Sequence, residues 1–244
     1  MVGGPDLLVC LPLLAETEAE LLEQADALLA LAPDLLEWRV DGYGAAADTA
    51  ACLSALAALR ERIGEVPLIF TCRSEKEGGL KRIGEKGRLP LISAAIASGL
   101  VDMVDFELCN PPSAVAGVVA EAAAHGIPVI LSYHDFEGTP DAGFIRDKLS
   151  QAEAAGAGIA KVAVMPRNMS DVLTLLAATL EARTKAVKIP IVTMAMGDEG
   201  AVTRLAGGLF GSDITFAAGK VSTAPGQIPA ERLRQAMAAL YPDR

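Results

Sequence analysis

Gly158-Ile159-Ala160-Lys161-Val162-Ala163-Val164-Met165-Pro166 is a short, nearly continuous apolar run, closed by glycine before and proline after. A run of this length that is apolar at successive positions reads as a strand covered on both faces. Such strands belong to parallel sheets. Lys161 stands in the middle of this one. An unpaired ammonium is expensive to bury, so the lysine either finds a carboxylate or loses its proton. A lysine that is neutral near pH 7 is a nucleophile for carbonyl carbon, the chemistry of Schiff-base enzymes. Pairing with a buried acid, or a strand end that reaches solvent, is the plainer alternative.

Outward from this stretch the same pattern repeats. Apolar strands are expected at Leu7–Leu13, Leu35–Asp41, Pro67–Arg73, Met103–Leu108, Pro128–His134, Ile159–Met165, Pro190–Met196 and Ile214–Ala218. Helices fall between them. The first follows Thr17 as N-cap, with Glu20 at the capping-box position, and runs to about Leu31. The second spans about Asp48 to Arg62, and the third lies near Leu91–Ser98 after a polar, glycine-rich loop through Gly79. The fourth enters at Pro111-Pro112-Ser113 and ends at His125-Gly126, and the fifth covers Asp141–Ala155. Ser170 is read as the cap of a sixth helix to about Arg183, and the last two cover Gly200–Phe210 and Pro229–Leu240.

About eight strand–helix units without an intervening linker close naturally into a (β/α)8 TIM barrel, an α/β fold of about 250 residues. The 244 residues fit one such domain over 1–244. A doubly wound open sheet would carry a glycine-rich turn after its first strand. Here that turn is Leu13-Leu14-Ala15-Glu16-Thr17. The barrel is therefore the expected fold.

Hydrophobic residues make up 52% of the chain, enough for a sizeable core, yet no apolar run approaches the roughly 20 residues of a membrane span. Met1-Val2-Gly3-Gly4-Pro5-Asp6 lacks the basic and apolar regions of a secretory signal, so a cytoplasmic location is expected. Cys10, Cys52, Cys72 and Cys109 form no CxxC pair and three lie in apolar runs, which favours buried free thiols over disulfides or zinc. A net charge of −10 without a basic stripe argues against nucleic acid as a partner. An anionic ligand would have to be held by a few placed arginines.

Barrel active sites form at the C-terminal strand ends. On the second strand, Glu37 and Arg39 share one face and Trp38 and Val40 the other, so the first pair projects into the mouth if the second packs on helices. A structural Glu37–Arg39 ion pair is the competing reading, and both can hold. Arg73 adds a cation after the third strand; Glu77 follows in a flexible-looking loop, as a lid residue or a solvated one. His125, before Gly126 at a helix end, reads as structural. His134 ends the strand beside Lys161, where a general acid or base would stand. Arg204 and Gln227 offer directed hydrogen bonds near the last two strands. Gly207, Gly208, Gly211, Gly219 and Gly226 leave a phosphate site open as well. A lysine nucleophile, a histidine and arginines at one mouth suggest an imine-forming enzyme for an anionic carbonyl compound.

Together these segments resemble type I 3-dehydroquinate dehydratase, the Schiff-base-forming class. The matching stretches are Glu37-Trp38-Arg39-Val40-Asp41, Thr71-Cys72-Arg73-Ser74 through Gly79, and Ser132-Tyr133-His134-Asp135-Phe136. Ala160-Lys161-Val162-Ala163-Val164-Met165-Pro166, Thr203–Gly207 and Ala224-Pro225-Gly226-Gln227 complete the set, in the family's order. The resemblance implies dehydration of 3-dehydroquinate to 3-dehydroshikimate in the shikimate pathway. It makes Lys161 the imine-forming lysine and His134 the general acid/base. It makes Glu37, Arg39, Arg73, Arg204 and Gln227 substrate contacts, with Arg204 the carboxylate partner. Thr223 stands where the family often has serine, and keeps the hydroxyl. Some members place a substrate-binding serine on the first strand, where this chain has Cys10. No metal or organic cofactor is implied, and several members are dimers. The competing functions are a class I aldolase acting on a phosphorylated sugar and a non-catalytic sensor that keeps the pocket.

Overall fold

Eight parallel strands, each followed by a helix, build the chain in a computed structural model that describes residues 2–80, 83–219 and 223–241. The strands are β1 (Leu8–Leu13), β2 (Leu35–Arg39), β3 (Leu68–Thr71), β4 (Met103–Glu107), β5 (Val129–Asp135), β6 (Ile159–Val164), β7 (Ile191–Ala195) and β8 (Ile214–Phe216). The helices are α1 (Glu18–Leu29), α2 (Thr49–Ile63), α3 (Gly84–Ala97), α4 (Pro112–Ala124), α5 (Ala142–Ala154), α6 (Met169–Glu181), α7 (Gly197–Ala206) and α8 (Ala230–Leu240). The ladder runs β7-β6-β5-β4-β3-β2-β1-β8, so β1 pairs with both β2 and β8. That order is a barrel. An open doubly wound sheet would not bring its last strand back to its first.

The seam between β7 and β8 is held by a different kind of bond. Asp213, just before β8, donates its backbone N–H to the Ile191 carbonyl at 2.8 Å and accepts the Ile191 N–H on its carboxylate at 2.7 Å. The same carboxylate pairs with Arg183. Two other aspartates stand immediately before strands in the same way. Asp34 accepts from Val9 of β1 and Asp102 from Leu68 of β3, each at 2.7 Å. Each satisfies a strand-end donor that the ladder leaves over.

Period-two alternation divides the core in two. Outward side chains such as Trp38, Phe70, Phe106, Val162 and Val164 pack under the helices in one large cluster. Inward ones, among them Cys10, Leu35, Ile69, Met103, Ile130, Ile159 and Ile214, fill the barrel floor. The inward positions one step further along β2, β3, β4, β5 and β6 are polar: Glu37, Thr71, Asp105, Ser132 and Lys161. The apolar floor gives way to a polar mouth within one residue pair.

Several boundaries differ from the sequence expectations. Helix α3 begins at Gly84, well ahead of Leu91, because Pro90, Gly84 and Gly87 mask its first half in a propensity reading. The cap of α6 is Asn168, whose side chain accepts from the N–H groups of Ser170 and Asp171; Ser170 is the residue being capped. Thr17 caps α1 as expected, but the Glu20 carboxylate takes the N–H of Glu16, one residue before the capping-box position. Helix α7 starts at Gly197, with the stretch after Ala206 a 3-10 turn. Cys10, Cys52 and Cys72 are buried free thiols as expected, and Cys109 is exposed.

Asp213→Ala removes the seam's acceptor and leaves the buried Ile191 N–H without a partner. The expected loss is about 2–3 kcal/mol of stability, measured by urea unfolding. A variant as stable as the parent would show that the ladder alone closes the barrel.

Candidate active site

The mouth is built by the last residues of β2 to β6 and by the segments that follow β3, β7 and β8. On β2, Trp38 turns outward and meets the Tyr43 and Phe70 rings edge-on at centroid distances of 5.8 and 5.6 Å. That outward anchor sends Glu37 and Arg39 inward. They do not pair with each other. Glu37 accepts from the Thr71 hydroxyl at 2.8 Å, and Arg39 grips Asp41 with two bonds of 2.8 Å.

Asp41 is fully buried and also shapes the segment after β3, accepting the N–H groups of Leu80 at 3.0 Å and Arg73 at 3.3 Å. The turn is tight enough that a Cβ on Gly79 would lie 2.2 Å from the Arg73 carbonyl oxygen. So the loop read as flexible is a turn held around Asp41, and Glu77 within it is buried and not solvated. One Glu77 oxygen accepts the backbone N–H of His134 at 2.9 Å and meets its Nδ1 at 2.8 Å. With Nδ1 as the donor, Nε2 keeps its lone pair. Burial pushes the Glu77 carboxyl up to about 7, against the pull of nearby Cys109 and Arg73.

Beside this stands a network that the sequence reading left out. Arg73, expected at the rim, is buried and donates through Nη1 to Asp105 and Glu107 at 2.9 Å and to Ser132 at 2.8 Å. Ser132 donates to Asp105 at 2.6 Å, and the Lys161 Nζ donates to the other Asp105 oxygen at 2.8 Å. Glu107 binds Arg88 of α3, which also donates to the Cys72 carbonyl at 3.0 and 2.9 Å. The strand sequence Met103-Val104-Asp105-Phe106-Glu107 carries the missed signal: two acids at alternate positions of a strand that is otherwise apolar share its inward face.

These charges set the protonation states. Burial alone would raise Asp105, but Arg73 and Lys161 beside it hold its carboxyl well below the usual range. Burial, reinforced by the positive charges of Arg73 and Lys161, lowers His134 well below an ordinary histidine and outweighs Asp105. His134 is thus a neutral base at pH 7. Arg204, 1% exposed, donates to the carbonyls of Phe216 at 3.2 Å and Pro225 at 3.0 Å and to the Met194 sulfur at 3.5 Å, while its Nε has no partner. No carboxylate among the described residues pairs with it. Burial draws its pKa down to about 10.

A cavity of about 110 Å³ joins these groups, and every residue the sequence nominated lines it: Glu37, Arg39, Arg73, His134, Lys161, Arg204, Thr223 and Gln227. Thr223 and Gln227 are tied together, the Thr223 N–H donating to the Gln227 side-chain oxygen at 2.8 Å. Met194, Met196 and Phe216 form an apolar wall that no motif had indicated, and Glu77 and Phe136 line the cavity as well. Cys10 lies one layer below, in the apolar floor. Lys220 and Ser222 lie outside the described residues. The phosphate reading is not supported, since none of its five glycines lines the cavity. They serve close packing, as at Gly208 against Leu7 and Tyr241 and at Gly219 against Leu28. His125 is at the exposed end of α4, its Nδ1 3.0 Å from the Glu121 carbonyl oxygen, a structural position as expected.

A (β/α)8 barrel with a lysine inside its mouth, a neutral histidine one strand away and an arginine lacking an anion defines a class: barrel enzymes that act on anionic carbonyl compounds. The comparisons narrow it. The profile of the type I 3-dehydroquinase family matches residues 9–244, and the chain belongs to that family. It is 42% identical to the 3-dehydroquinate dehydratase of Albidiferax ferrireducens over 98% of this chain and 91% of that one. The crystal structure of the Geobacillus kaustophilus enzyme superposes with a TM-score of 0.96 at 43% identity, covering 99% of this chain and 94% of that chain. The Clostridium difficile type I enzyme, solved with covalently modified comenic acid, gives 0.95 at 35% identity, with 100% and 95% covered.

Glu77 supplies a pH test. Its carboxyl is raised from 4.5 to about 7, so the folded chain holds that proton more tightly than the unfolded one. The stabilisation is full below the unfolded value and disappears as pH rises through the folded value. Glu77→Gln cannot ionise. Its stability, from urea unfolding at about pH 5 and pH 8, should change less than the parent's, by on the order of 2–3 kcal/mol. Identical pH dependence in the two proteins would show that Glu77 does not titrate in this range.

Proposed function

We propose that this family member works through an imine on Lys161, with His134 as general acid and base, in the dehydration of 3-dehydroquinate to 3-dehydroshikimate. That hydro-lyase reaction (EC 4.2.1.10) is the activity of the family, and it places the chain in the shikimate pathway to chorismate and the aromatic amino acids. The observation that carries the mechanism is the meeting of Lys161, a neutral His134 and an anion-free Arg204 in one cavity.

Arg204 takes the substrate carboxylate, because a buried guanidinium held only by neutral acceptors gains most from a bidentate anion. Glu37, Arg39, Arg73, Thr223 and Gln227 surround the ring with donors and acceptors. Lys161 attacks the ketone, and the resulting protonated imine withdraws electrons from the neighbouring carbon. His134 removes the acidified proton there through Nε2 and returns it to the departing hydroxyl as water leaves. Met194, Met196 and Phe216 keep the reacting face apolar, which strengthens each polar contact. The covalently modified comenic acid of the Clostridium difficile relative supports a nucleophile in this family's cavity. A phosphorylated-sugar aldolase has no such support, since among the described residues none of the five glycines near the last two strands lines the cavity.

We propose further that residues 1–244 act as one catalytic domain, in the cytoplasm, as a homodimer. Among the described residues no helix is long and apolar enough to cross a membrane. Met169, Leu173 and Leu180 lie exposed on one face of α6, near exposed Val202 and Leu209, and that uncharged face supports self-association. Light scattering should give twice the chain mass; a monomer at micromolar concentration would remove the dimer.

Borohydride tests the mechanism. With 3-dehydroquinate, it should fix one reduced ligand on the Lys161 peptide, read by mass spectrometry. Lys161→Met should lose both label and turnover. His134→Ala should still be labelled yet lose at least roughly 10²–10⁴-fold in turnover, the usual range for an acid–base group. Labelling that persists in Lys161→Met, or that lands on Lys220, would overturn the assignment. Production of the conjugated enone by the parent, followed in the ultraviolet, separates an enzyme from a sensor.

A further inference from the structure

We infer that Asp105 is the fixed counter-ion of Lys161 throughout the reaction, positioning its nitrogen first as the ammonium and then as the protonated imine. The inference rests on the imine mechanism above and adds to it a residue outside the motifs that identified the site. Asp105 is 1% exposed, with one oxygen 2.8 Å from the Lys161 Nζ. The other oxygen is held by Ser132 at 2.6 Å and Arg73 at 2.9 Å, so the carboxylate cannot turn away. The Phe216 ring lies 4.7 Å from Nζ and adds a second surface favourable to a cation.

Charge balance makes a fixed anion useful here. The ammonium and the ketone give a protonated imine and water. Nitrogen begins with three hydrogens and keeps one. The other two leave with the ketone oxygen as water, and the charge on nitrogen is +1 at both ends. A carboxylate already in place therefore serves both states without rearranging, the condition under which buried electrostatics help most. The proton that Nζ must release before attack is taken by His134 Nε2 and goes out with the water. The imine retains a single N–H, and its bond to Asp105 fixes the plane of the C=N group relative to His134. Asp105 thereby determines which face of the neighbouring carbon the base meets.

Other charged or titratable groups surround Lys161 and bear on any pH profile. They are Arg73 and Glu77 beyond β3, Glu37 and Arg39 on β2, His134 on β5, Cys10 on β1 and Arg204 on α7. Asp105→Asn keeps the shape and removes only the anion. Its kcat should fall at least roughly 100-fold with KM little changed, because Arg204 still holds the carboxylate. The alkaline limb of the kcat profile should move down by at least about one pH unit, since a cation without its anion loses its proton more readily. Asp105→Glu should bring the limb back toward the parent's position. If Asp105→Asn does not fold, Ser132→Ala decides: it loosens the carboxylate but keeps its charge, so kcat should fall several-fold with the alkaline limb unmoved. A folded Asp105→Asn with the parent's kcat and limb, or a Ser132→Ala with unchanged kcat in the fallback, would overturn the counter-ion role. Borohydride labelling of the parent keeps the two ideas apart. Label on Lys161 together with an unmoved limb defeats only the counter-ion, whereas no label in the parent defeats the imine itself.

Discussion

Two carboxylates on one strand, Asp105 and Glu107, hold the inside of the barrel mouth together. Between them they bind Lys161, Arg73 and Arg88, three cations brought in from β6, the end of β3 and α3. Buried ions of one sign cannot stay in a low-dielectric interior without partners. Formal charges balance when Glu37 is counted with the two acids against these three bases, and Arg39 with Asp41 forms a closed pair beside them. Arg204 is what remains. Its positive charge has no carboxylate partner among the described residues, so the cavity as a whole attracts an anion. The network that neutralises the interior thereby also marks a place where a ligand's negative charge is wanted.

The same acids decide which side chains can act as bases. Arg73 and Lys161 draw Asp105 so far toward its ionised form that it cannot hold a proton for long at neutral pH. Burial first, and then the same two cations, push His134 the other way, to the neutral form. Two titratable groups at one barrel mouth are thereby driven apart, one to anion and one to free base. Glu77 then selects the tautomer by occupying Nδ1. A division of labour of this kind follows from burial and the placement of cations more than from any property of histidine or aspartate alone.

Much of this was legible in the sequence, and the exceptions have physical causes. The barrel followed from a strand–helix repeat and a first turn without glycine, Glu37 and Arg39 from period-two reasoning, Lys161 from its place inside an apolar run, and His134 from the strand end beside it. Asp105 and Glu107 were equally open to that reasoning, but acids inside an apolar strand are recognisable only when their cationic partners are known, and those lie 19 to 56 residues away in the chain. Glu77 looked solvated because a polar, glycine-rich stretch is the signature of a loose loop. Its rigidity comes from Asp41 and from the close approach at Gly79, both tertiary facts. The Glu37–Arg39 pair failed for a similar reason, since Thr71 and Asp41 were nearer partners than either was to the other. The apolar wall of Met194, Met196 and Phe216 left no mark, because such residues also belong in any barrel core.

The two ends of the barrel differ in what their carboxylates hold. At the N-terminal end, Asp34, Asp102 and Asp213 accept strand N–H groups and pair with Arg234, Arg60 and Arg183 near the surface. Those acids satisfy backbone, and each is complete without a ligand. At the C-terminal end, Asp105 and Glu107 face inward and bind mainly side-chain cations, Glu107 also taking the N–H of Ser74, and lysine and arginine groups are left directed into a cavity. Polar groups in a core are tolerated where they close backbone donors, and they are costly where they do not. The costly set is confined to the end where a substrate can share it. Stability is thus vested in one end of the strands and reactivity in the other, with an apolar floor of Leu35, Ile69, Met103, Ile130 and Ile159 separating them. That floor keeps water from reaching Asp105 from below, and so preserves the low dielectric on which the charge arrangement above it depends.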